Sequence, residues 1–384
     1  MYLPEYHSGS IVNLLSSIQL ALGAKSPLYA PLPQLPPERL APVTNIVLIV
    51  IDGLGYTYLT RRHADSFRKH LVGRITSVFP STTAAAVTSF FTGTAPQQHA
   101  LTGWFTYFKE LGAVIAPLPF RPRYGGTSLN DLVNAQDLFD QQSLFDRIRR
   151  RGYVTLPKRI VDSDYTRAMS GTAARLAYGS VKDYFHCIAE IIRANRDSKY
   201  VYAYWPELDS LAHMHGIGSP QAATHLEELD YGFSRFLQAV KGTGTTVIVT
   251  ADHGIIDSES AKLISLEQHS ELAETLVLPL CGEPRAAFCY VHPGRQQQFE
   301  QYVRTQFAES AELHRSVDLV ERGYFGLGEP DSRLYDRIGT HTLIMKDHYV
   351  IKDWLLGERH YEQAGVHGGL SEEEMYVPLI VCDA

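Results

Sequence analysis

Four apolar runs constrain the fold of this 384-residue chain more than any other feature of its sequence. They read NIVLIVID, SKYVYAYWPELD, GTTVIVTADHG and MYVPLIVCDA, and they begin at Asn45, Ser198, Gly244 and Met375. Uninterrupted β-branched runs are typical of strands buried on both faces of a parallel sheet. Helical patterns such as SLFDRIRRRG and ATHLEELDYGFSRFLQAVKG lie between them. The alternation predicts an α/β fold with a doubly wound, mostly parallel sheet.

The remaining segments divide the chain into three predicted parts. Residues 1–40 combine a helical apolar pattern with a proline-rich connector. Residues 41–260 and 359–384 carry the apolar runs and form the predicted α/β core. Residues 261–358 differ in pattern, since RAAFCYVHP is typical of a strand, GRQQQFEQYVRTQFAES of a helix and THTLIMKDHYVIKDW of a strand or hairpin. We expect this segment to form a small α+β cap inserted into the core.

Charge and cysteine content exclude some classes of protein. The formal charge of −7 argues against binding of long nucleic acid, although it permits a small phosphate ester as substrate. The four cysteines are scattered and form no CxxC pair, which suits a reducing compartment. The N-terminal sequence does not resemble a signal peptide, and no apolar run has the length of a membrane span. We therefore expect a cytoplasmic protein without a membrane partner; its oligomeric state stays open.

The first three apolar runs each lead into an aspartate, at Asp52, Asp209 and Asp252. Open α/β sheets bind ligands at the carboxyl ends of their strands, so we expect these side chains to lie together. A single aspartate at a strand end often caps the next helix. Three carboxylates at one edge repel one another unless a cation compensates them. The pattern therefore favours a metal site.

Three histidines strengthen the metal interpretation. Asp209 and His213 are four residues apart, a spacing that places both side chains on one face of a helix. His253 directly follows Asp252. His367 lies in the predicted loop AGVHGGLS, which has glycines on both sides of the histidine. Mixed aspartate and histidine ligands favour zinc, with manganese as the competing metal.

The stretch FPSTTAAAVTSFFTG places adjacent threonines at the start of a predicted helix. A hydroxyl becomes a usable nucleophile when a metal binds its oxygen and lowers its pKa. The N-terminus of a helix also offers N–H groups that suit a phosphate. The alternative is structural, with Ser81 or Thr82 acting as the N-cap of the helix.

Five segments in order resemble the motif set of the alkaline phosphatase superfamily, and more narrowly its type I phosphodiesterase/nucleotide pyrophosphatase family. They are VIDGLG, FPSTTAAAVTSFFTGTAPQQHALTGW, PELDSLAHMHG, VTADHG and VHGGLSEEEMYVPLIV. The resemblance implies an alkaline-phosphatase-like sheet and two divalent metal ions, zinc or alternatively manganese. By the same resemblance, the first metal would be bound by Asp52, Thr83, Asp252 and His253, and the second by Asp209, His213 and His367.

The resemblance also implies a mechanism and a nucleophile. Thr83 matches the position of the family's nucleophile, ten residues before Gly93, although a register one residue earlier would select Thr82. The implied reaction is hydrolysis of phosphodiester or pyrophosphate bonds of a small phosphate ester, through a phospho-threonine intermediate. We further expect Trp104 and Phe105 to contact substrate, with packing in the core or cap as the alternative.

One departure from the family pattern leaves the substrate open. Nucleotide pyrophosphatases carry Phe-Pro-Asn after the nucleophile, and its asparagine contacts a phosphate oxygen; here the residues are Ala84, Ala85 and Ala86. A phosphonate carbon–phosphorus hydrolase or a phosphomonoesterase of the same superfamily therefore remains an alternative. So does a non-catalytic protein that binds a phosphorylated ligand. The segment CGEPR, which begins at Cys281, has the wrong spacing for a sulfatase motif.

Overall fold

The computed structural model describes all residues from 1 to 384. The strands are β1 (Asn45–Ile51), β2 (Leu71–Thr76), β3 (Thr106–Phe108), β4 (Ala113–Ala116), β5 (Arg121–Pro122), β6 (Arg151–Pro157), β7 (Ala174–Tyr178), β8 (Lys199–Trp205), β9 (Thr245–Thr250), β10 (Ile256–Asp257), β11 (Leu263–Ser265), β12 (Cys281–Glu283), β13 (Ala286–Cys289), β14 (Ala311–Arg315), β15 (His341–Met345), β16 (Val350–Lys352), β17 (Gly365–Val366) and β18 (Tyr376–Asp383).

The helices range from single turns to the 20 residues of α11. They are α1 (Ile11–Ala21), α2 (Pro37–Leu40), α3 (Tyr56–Thr60), α4 (Asp65–Lys69), α5 (Thr83–Thr92), α6 (Pro96–His99), α7 (Ala135–Phe139), α8 (Asp164–Met169), α9 (Val181–Arg193), α10 (Glu207–His215), α11 (Pro220–Ala239), α12 (Ser270–Ala273), α13 (Gln296–Gln306), α14 (Ser316–Glu321), α15 (Ser332–Arg337) and α16 (Glu372–Met375). None of them combines the length and the apolar character that crossing a membrane demands.

A seven-stranded sheet in the order β2-β18-β9-β1-β8-β6-β7 forms the centre of the molecule. Strands β9, β1, β8, β6 and β7 are parallel, and β18 pairs antiparallel with both β9 and β2. Every residue of β1, β8 and β9 is buried, as their uninterrupted apolar sequences require. The predicted α/β fold with a mostly parallel sheet is confirmed.

The strand order reverses at β1, because its neighbours β8 and β9 both follow it in sequence and lie on its two sides. In open α/β sheets, a crevice for ligands forms at the carboxyl ends of the strands at such a reversal. The residues that follow β1, β8 and β9 therefore come together at one edge of the sheet.

A second sheet, in the order β12-β13-β15-β14, is antiparallel. All four of its strands lie between Cys281 and Met345. Helix α13 packs on it, with Phe299 and Val303 fully or almost fully buried. These elements fall inside the segment 261–358, whose boundaries as a cap stay a prediction.

One local prediction is wrong. The helix expected around SLFDRIRRRG is a single 3₁₀ turn at Leu144–Asp146, and the chain continues as β6 because that strand pairs with β7 and β8. Strand pairing there outweighs local helical periodicity. The segment THTLIMKDHYVIKDW forms strands, which was one of its two predicted structures. They do not make a hairpin, since β15 pairs with β13 and β14 whereas β16 pairs in parallel with β11.

Candidate active site

The edge of the sheet at the carboxyl ends of β1, β8 and β9 collects the sequence-predicted metal residues. Asp52 directly follows β1, and Asp252 and His253 follow β9 after one intervening residue. Asp209 does not end a strand as expected: β8 stops at Trp205, and Asp209 is the third residue of α10. Asp209 nevertheless lies near the carboxyl end of β8, because α10 starts immediately beyond that strand.

Asp52, Asp252 and His253 form one compact buried group. His253 Nε2 lies 3.3 Å from Asp52 Oδ1 and 3.5 Å from Asp252 Oδ2. One ligand atom from each of the three residues lies within 4.8 Å of the others, a spacing that can hold a metal ion. The Oγ1 atom of Thr83 lies 3.1 Å from the same His253 Nε2, so the hydroxyl belongs to this group.

Asp209, His213 and His367 form the adjacent group. His213 Nε2 lies 3.2 Å from Asp209 Oδ2, and His367 Nε2 lies 3.8 Å from Asp209 Oδ1. The rings of His367 and His253 stack with centroids 3.8 Å apart, so the two groups share a border. His253 is also close enough to Asp209 and His367 to serve this second group. We place it with Asp52 and Asp252, because its Nε2 atom faces both of those carboxylates.

Asp52 and Asp252 each have one oxygen that accepts hydrogen bonds from the protein, and all three carboxylates have one oxygen without a partner. Tyr204 donates its hydroxyl to Asp52 Oδ2, and the N–H groups of Gly53 and His253 donate to Asp252 Oδ1 at 3.2 and 3.0 Å. Asp52 Oδ1, Asp252 Oδ2 and Asp209 Oδ1 are buried and have no hydrogen-bond partner. Buried acceptors without partners are costly, and a bound cation removes that cost.

Two of the histidines are oriented in the way that metal ligands require. The Nδ1 atom of His213 lies 2.7 Å from the carbonyl oxygen of Gly365, and that of His253 lies 3.1 Å from Gly254 O. When Nδ1 donates to these carbonyls, Nε2 keeps the lone pair that binds a metal. The donor set of carboxylates and imidazoles therefore fits two divalent cations.

Electrostatics in the absence of cations also indicate a compensating charge. Burial raises the pKa of Asp52 well above its ordinary value, and the neighbouring Asp252 and Asp209 carboxylates raise it further. Burial opposes ionisation of Asp209 too, but the His213 imidazole outweighs it and lowers the pKa of Asp209. Burial and the adjacent His253 lower the pKa of His367 well below its usual range. Three acids this close cannot all ionise without positive charge beside them.

Thr83 is the first residue of α5, and no side chain caps that helix. The Thr82 hydroxyl donates to Glu283 Oε1 at 2.6 Å, and the Ser81 hydroxyl donates to the carbonyl of Gly369 at 2.7 Å. Thr82 therefore occupies the N-cap position of α5, but neither its side chain nor that of Ser81 makes a capping hydrogen bond. The hydroxyl of Thr83 points to His253, and N–H groups of the first helical turn have no side-chain partner.

A cavity of about 550 Å³ opens onto Thr83, Asp209, His213 and His367. Trp104 and Phe105 line its wall, and Trp104 is 42% exposed. Their contact with substrate stays a prediction. The segment that carries the second sheet, β16 and the loop after it also line the cavity, through residues Gly282, Glu283, Lys352, Trp354 and Tyr361.

Two charged residues of this cavity were not expected from the sequence. Glu283, in the CGEPR segment, is buried beside the Thr82–Thr83 turn. Arg123 is almost fully buried, pairs with Asp353 at 2.7 Å and Glu358 at 3.1 Å, and covers the ring of Phe105. Neither lies in a periodic pattern or near another motif, so only the tertiary structure identifies them.

Structural comparison finds similar folds among solved enzymes. Murine ectonucleotide pyrophosphatase/phosphodiesterase 5 superposes with a TM-score of 0.67 at 16% identity, covering 87% of each chain. An inactive threonine-to-alanine variant of that protein in complex with AMP gives the same values. Phosphonoacetate hydrolase from Sinorhizobium meliloti in complex with phosphonoformate gives 0.63 at 19% identity, covering 88% of this chain and 90% of the other. No curated protein matches the sequence significantly.

The sequence itself matches the family described as type I phosphodiesterase/nucleotide pyrophosphatase over residues 46–370. This range contains every residue of the two groups, from Asp52 to His367. The expected cytoplasmic location stays a prediction. The prediction of a hydrolase is confirmed, and the chain belongs to the type I phosphodiesterase/nucleotide pyrophosphatase family.

Proposed function

We propose that this protein hydrolyses phosphodiester or pyrophosphate bonds of a small phosphate ester at a two-metal centre, with Thr83 as the nucleophile. The proposed metals are zinc ions, with manganese as the alternative, because the donors are mixed oxygen and imidazole nitrogen. We assign Asp52, Thr83, Asp252 and His253 to the first metal and Asp209, His213 and His367 to the second.

The open carboxylate oxygens are the single observation that carries this proposal. Asp52 Oδ1, Asp252 Oδ2 and Asp209 Oδ1 are buried without partners, whereas the companion oxygens of Asp52 and Asp252 are held by Tyr204 and by backbone N–H groups. A purely structural network would satisfy both oxygens of a buried carboxylate. Divalent metals bound there would lower the pKa of the Thr83 hydroxyl and offset negative charge on the phosphoryl group.

The chain's own groups then account for two chemical steps. Thr83 Oγ1 forms a bond to phosphorus while the bond to the leaving oxygen breaks, which gives a phospho-threonine. Water breaks that bond in the second step and restores the hydroxyl. The N–H groups at the start of α5 are available to phosphoryl oxygens, because Thr82 and Ser81 turn their hydroxyls elsewhere.

The two threonines provide a matched test of this assignment. Thr83→Ala should lower kcat on bis-p-nitrophenyl phosphate at least about 10³-fold, as removal of a nucleophile does. Its metal content, measured by elemental analysis, should stay that of the wild type because six ligands remain. Thr82→Ala, which removes the contact to Glu283 and leaves Thr83 in place, should retain turnover.

Metal dependence is measured on the same enzyme. Stripping with a chelator should abolish turnover, and resupplied zinc or manganese should restore it. Turnover by Thr83→Ala at the wild-type rate would refute the nucleophile, and turnover by fully stripped protein would refute the metal centre.

The phosphonate alternative rests on one similar structure, that of phosphonoacetate hydrolase. Phosphonoacetate is therefore assayed beside the diester and p-nitrophenyl phosphate. Release of phosphate from phosphonoacetate without diester turnover would replace the proposed reaction with carbon–phosphorus cleavage. Binding of both metals without turnover of any of the three would favour the non-catalytic alternative.

A further inference from the structure

Glu283 places a carboxyl group in the cavity beside the candidate nucleophile. It ends β12, is 7% exposed and lines the same cavity as Thr83, His213 and His367. Its Oε1 atom accepts hydrogen bonds from the Thr82 hydroxyl at 2.6 Å and from the Trp104 N–H at 2.7 Å. These two bonds hold the carboxylate against the turn that presents Thr83.

The protein does not neutralise this charge. Glu283 Oε2 makes no hydrogen bond to the protein, and no cation lies within ion-pair distance of either oxygen. Lys352 lines the same cavity, but its Nζ atom donates to Tyr361 O at 3.3 Å and to Gln363 Oε1 at 2.9 Å. Arg123 is already paired with Asp353 and Glu358.

The helix behind the nucleophile supplies no side-chain donor to offset Glu283. Ala84, Ala85 and Ala86 follow Thr83 and are fully buried within α5. A phosphoryl group bound at the start of α5 would therefore lie in the same cavity as the Glu283 carboxylate. Each additional negative charge on that group increases its repulsion from Glu283.

We propose that Glu283 selects substrates whose reacting phosphoryl group carries one negative charge, and that it disfavours groups that carry two. Phosphodiesters are monoanions, whereas phosphomonoesters and phosphonates are dianions above neutral pH. Glu283 is thus a specificity residue that favours diesters at this site. The inference rests on the proposed hydrolytic function and adds the charge class of the substrate.

The decisive variant is Glu283→Gln, which removes the charge and keeps a carbonyl oxygen able to accept from Thr82 and Trp104. We compare kcat/KM for p-nitrophenyl phosphate and bis-p-nitrophenyl phosphate at pH 9. Burial raises the pKa of Glu283 to about 7, so the carboxylate is ionised at that pH. The ratio of monoester to diester kcat/KM should rise about tenfold, because the variant removes the repulsion between the Glu283 carboxylate and the second negative charge of the monoester.

Glu309→Gln is the matched control, because it makes the same change in net charge at an exposed site in the same part of the chain. Its monoester to diester ratio should equal that of the wild type. Glu283→Ala is made in parallel, so that the charge effect can still be measured if the glutamine variant does not fold. An unchanged ratio in a folded Glu283 variant that still cleaves the diester would overturn the inference and leave the hydrolytic function intact. Absence of metal-dependent diester turnover in the wild type would instead refute the proposed function itself.

Discussion

Replacing Arg285 should destabilise the protein far more than loss of an ordinary ion pair. Its guanidinium forms two parallel hydrogen bonds with Glu374, at 3.1 Å to Oε1 and 3.0 Å to Oε2. The two side chains are 1% and 0% exposed. This pair joins the strand pair β12–β13 to α16, which follows the His367 loop, so it fixes the second sheet against the candidate active site.

The magnitude follows from what Arg285→Met leaves behind. A buried carboxylate that loses its only cation costs about 3–5 kcal/mol. Glu374 keeps the N–H groups of Gly369 at 2.8 Å and Ser371 at 3.3 Å, so we expect a loss of about 3 kcal/mol, at the lower end of that range. For 384 residues, an unfolding entropy of about 2 cal/mol/K per residue converts this into a Tm lower by about 4 °C.

Urea unfolding at pH 7.5 measures the free energy directly. The control is Arg304→Met, which breaks an exposed pair with Glu300 on α13 and should change the free energy of unfolding by about 0.5 kcal/mol or less. Equal losses for the two variants, or a loss below about 1 kcal/mol for Arg285→Met, would refute the reasoning.

The pH dependence of the free energy of unfolding provides a second test. Burial opposes ionisation of Glu374, but the Arg285 guanidinium outweighs it and holds the pKa of Glu374 below its ordinary value of 4.5. A carboxyl whose pKa is lower in the folded state contributes stability above its unfolded pKa and loses that contribution as the pH falls through the folded pKa. The difference in stability between wild type and Arg285→Met should therefore narrow below pH 4.5.

Two further predictions concern the cavity and the first ligand group. Tyr204→Phe removes the hydroxyl that holds Asp52 Oδ2, and it should weaken zinc affinity about tenfold or more in calorimetric titration of the stripped protein; unchanged affinity would show that Asp52 needs no such support. Arg123→Met leaves Asp353 and Glu358 without their cation, and it should accelerate amide hydrogen exchange in residues 353–363 while β1 exchanges as in the wild type. Wild-type exchange rates in that loop would contradict the role assigned to Arg123.

The sequence predicts the centre of the sheet because those strands are mostly apolar or β-branched and buried at every position. β1, β8 and β9 are buried on both faces, so their composition alone distinguishes them. β6 begins with an arginine and a glycine, and β7 at the sheet edge alternates between half-buried and exposed residues. Short, mixed sequences of this kind acquire their structure from pairing with neighbours, which local patterns do not contain.

The candidate site also contains some residues that the sequence identifies and others that it does not. Aspartate and histidine at strand and helix ends have few other uses together, so the candidate metal ligands could be named from the sequence, and the resemblance to the family selected Thr83. Glu283 could not, because its partner Thr82 lies 201 residues away and the significance of the carboxylate depends on its burial. Arg123 was missed for the same reason, since its ion pairs lie more than 200 residues further along the chain.

The position of β18 has a consequence for biosynthesis. This strand occupies the space between β9 and β2, yet it is made after every other strand of the sheet. A nascent chain that has not yet emerged to residue 383 therefore carries β9 with one unpaired edge, and β2 without its neighbour in the sheet. Unpaired edges of this kind promote aggregation, so the interval before β18 is made is the one in which the chain is most exposed to it. The central sheet can be completed only after residues 376–383 have been added.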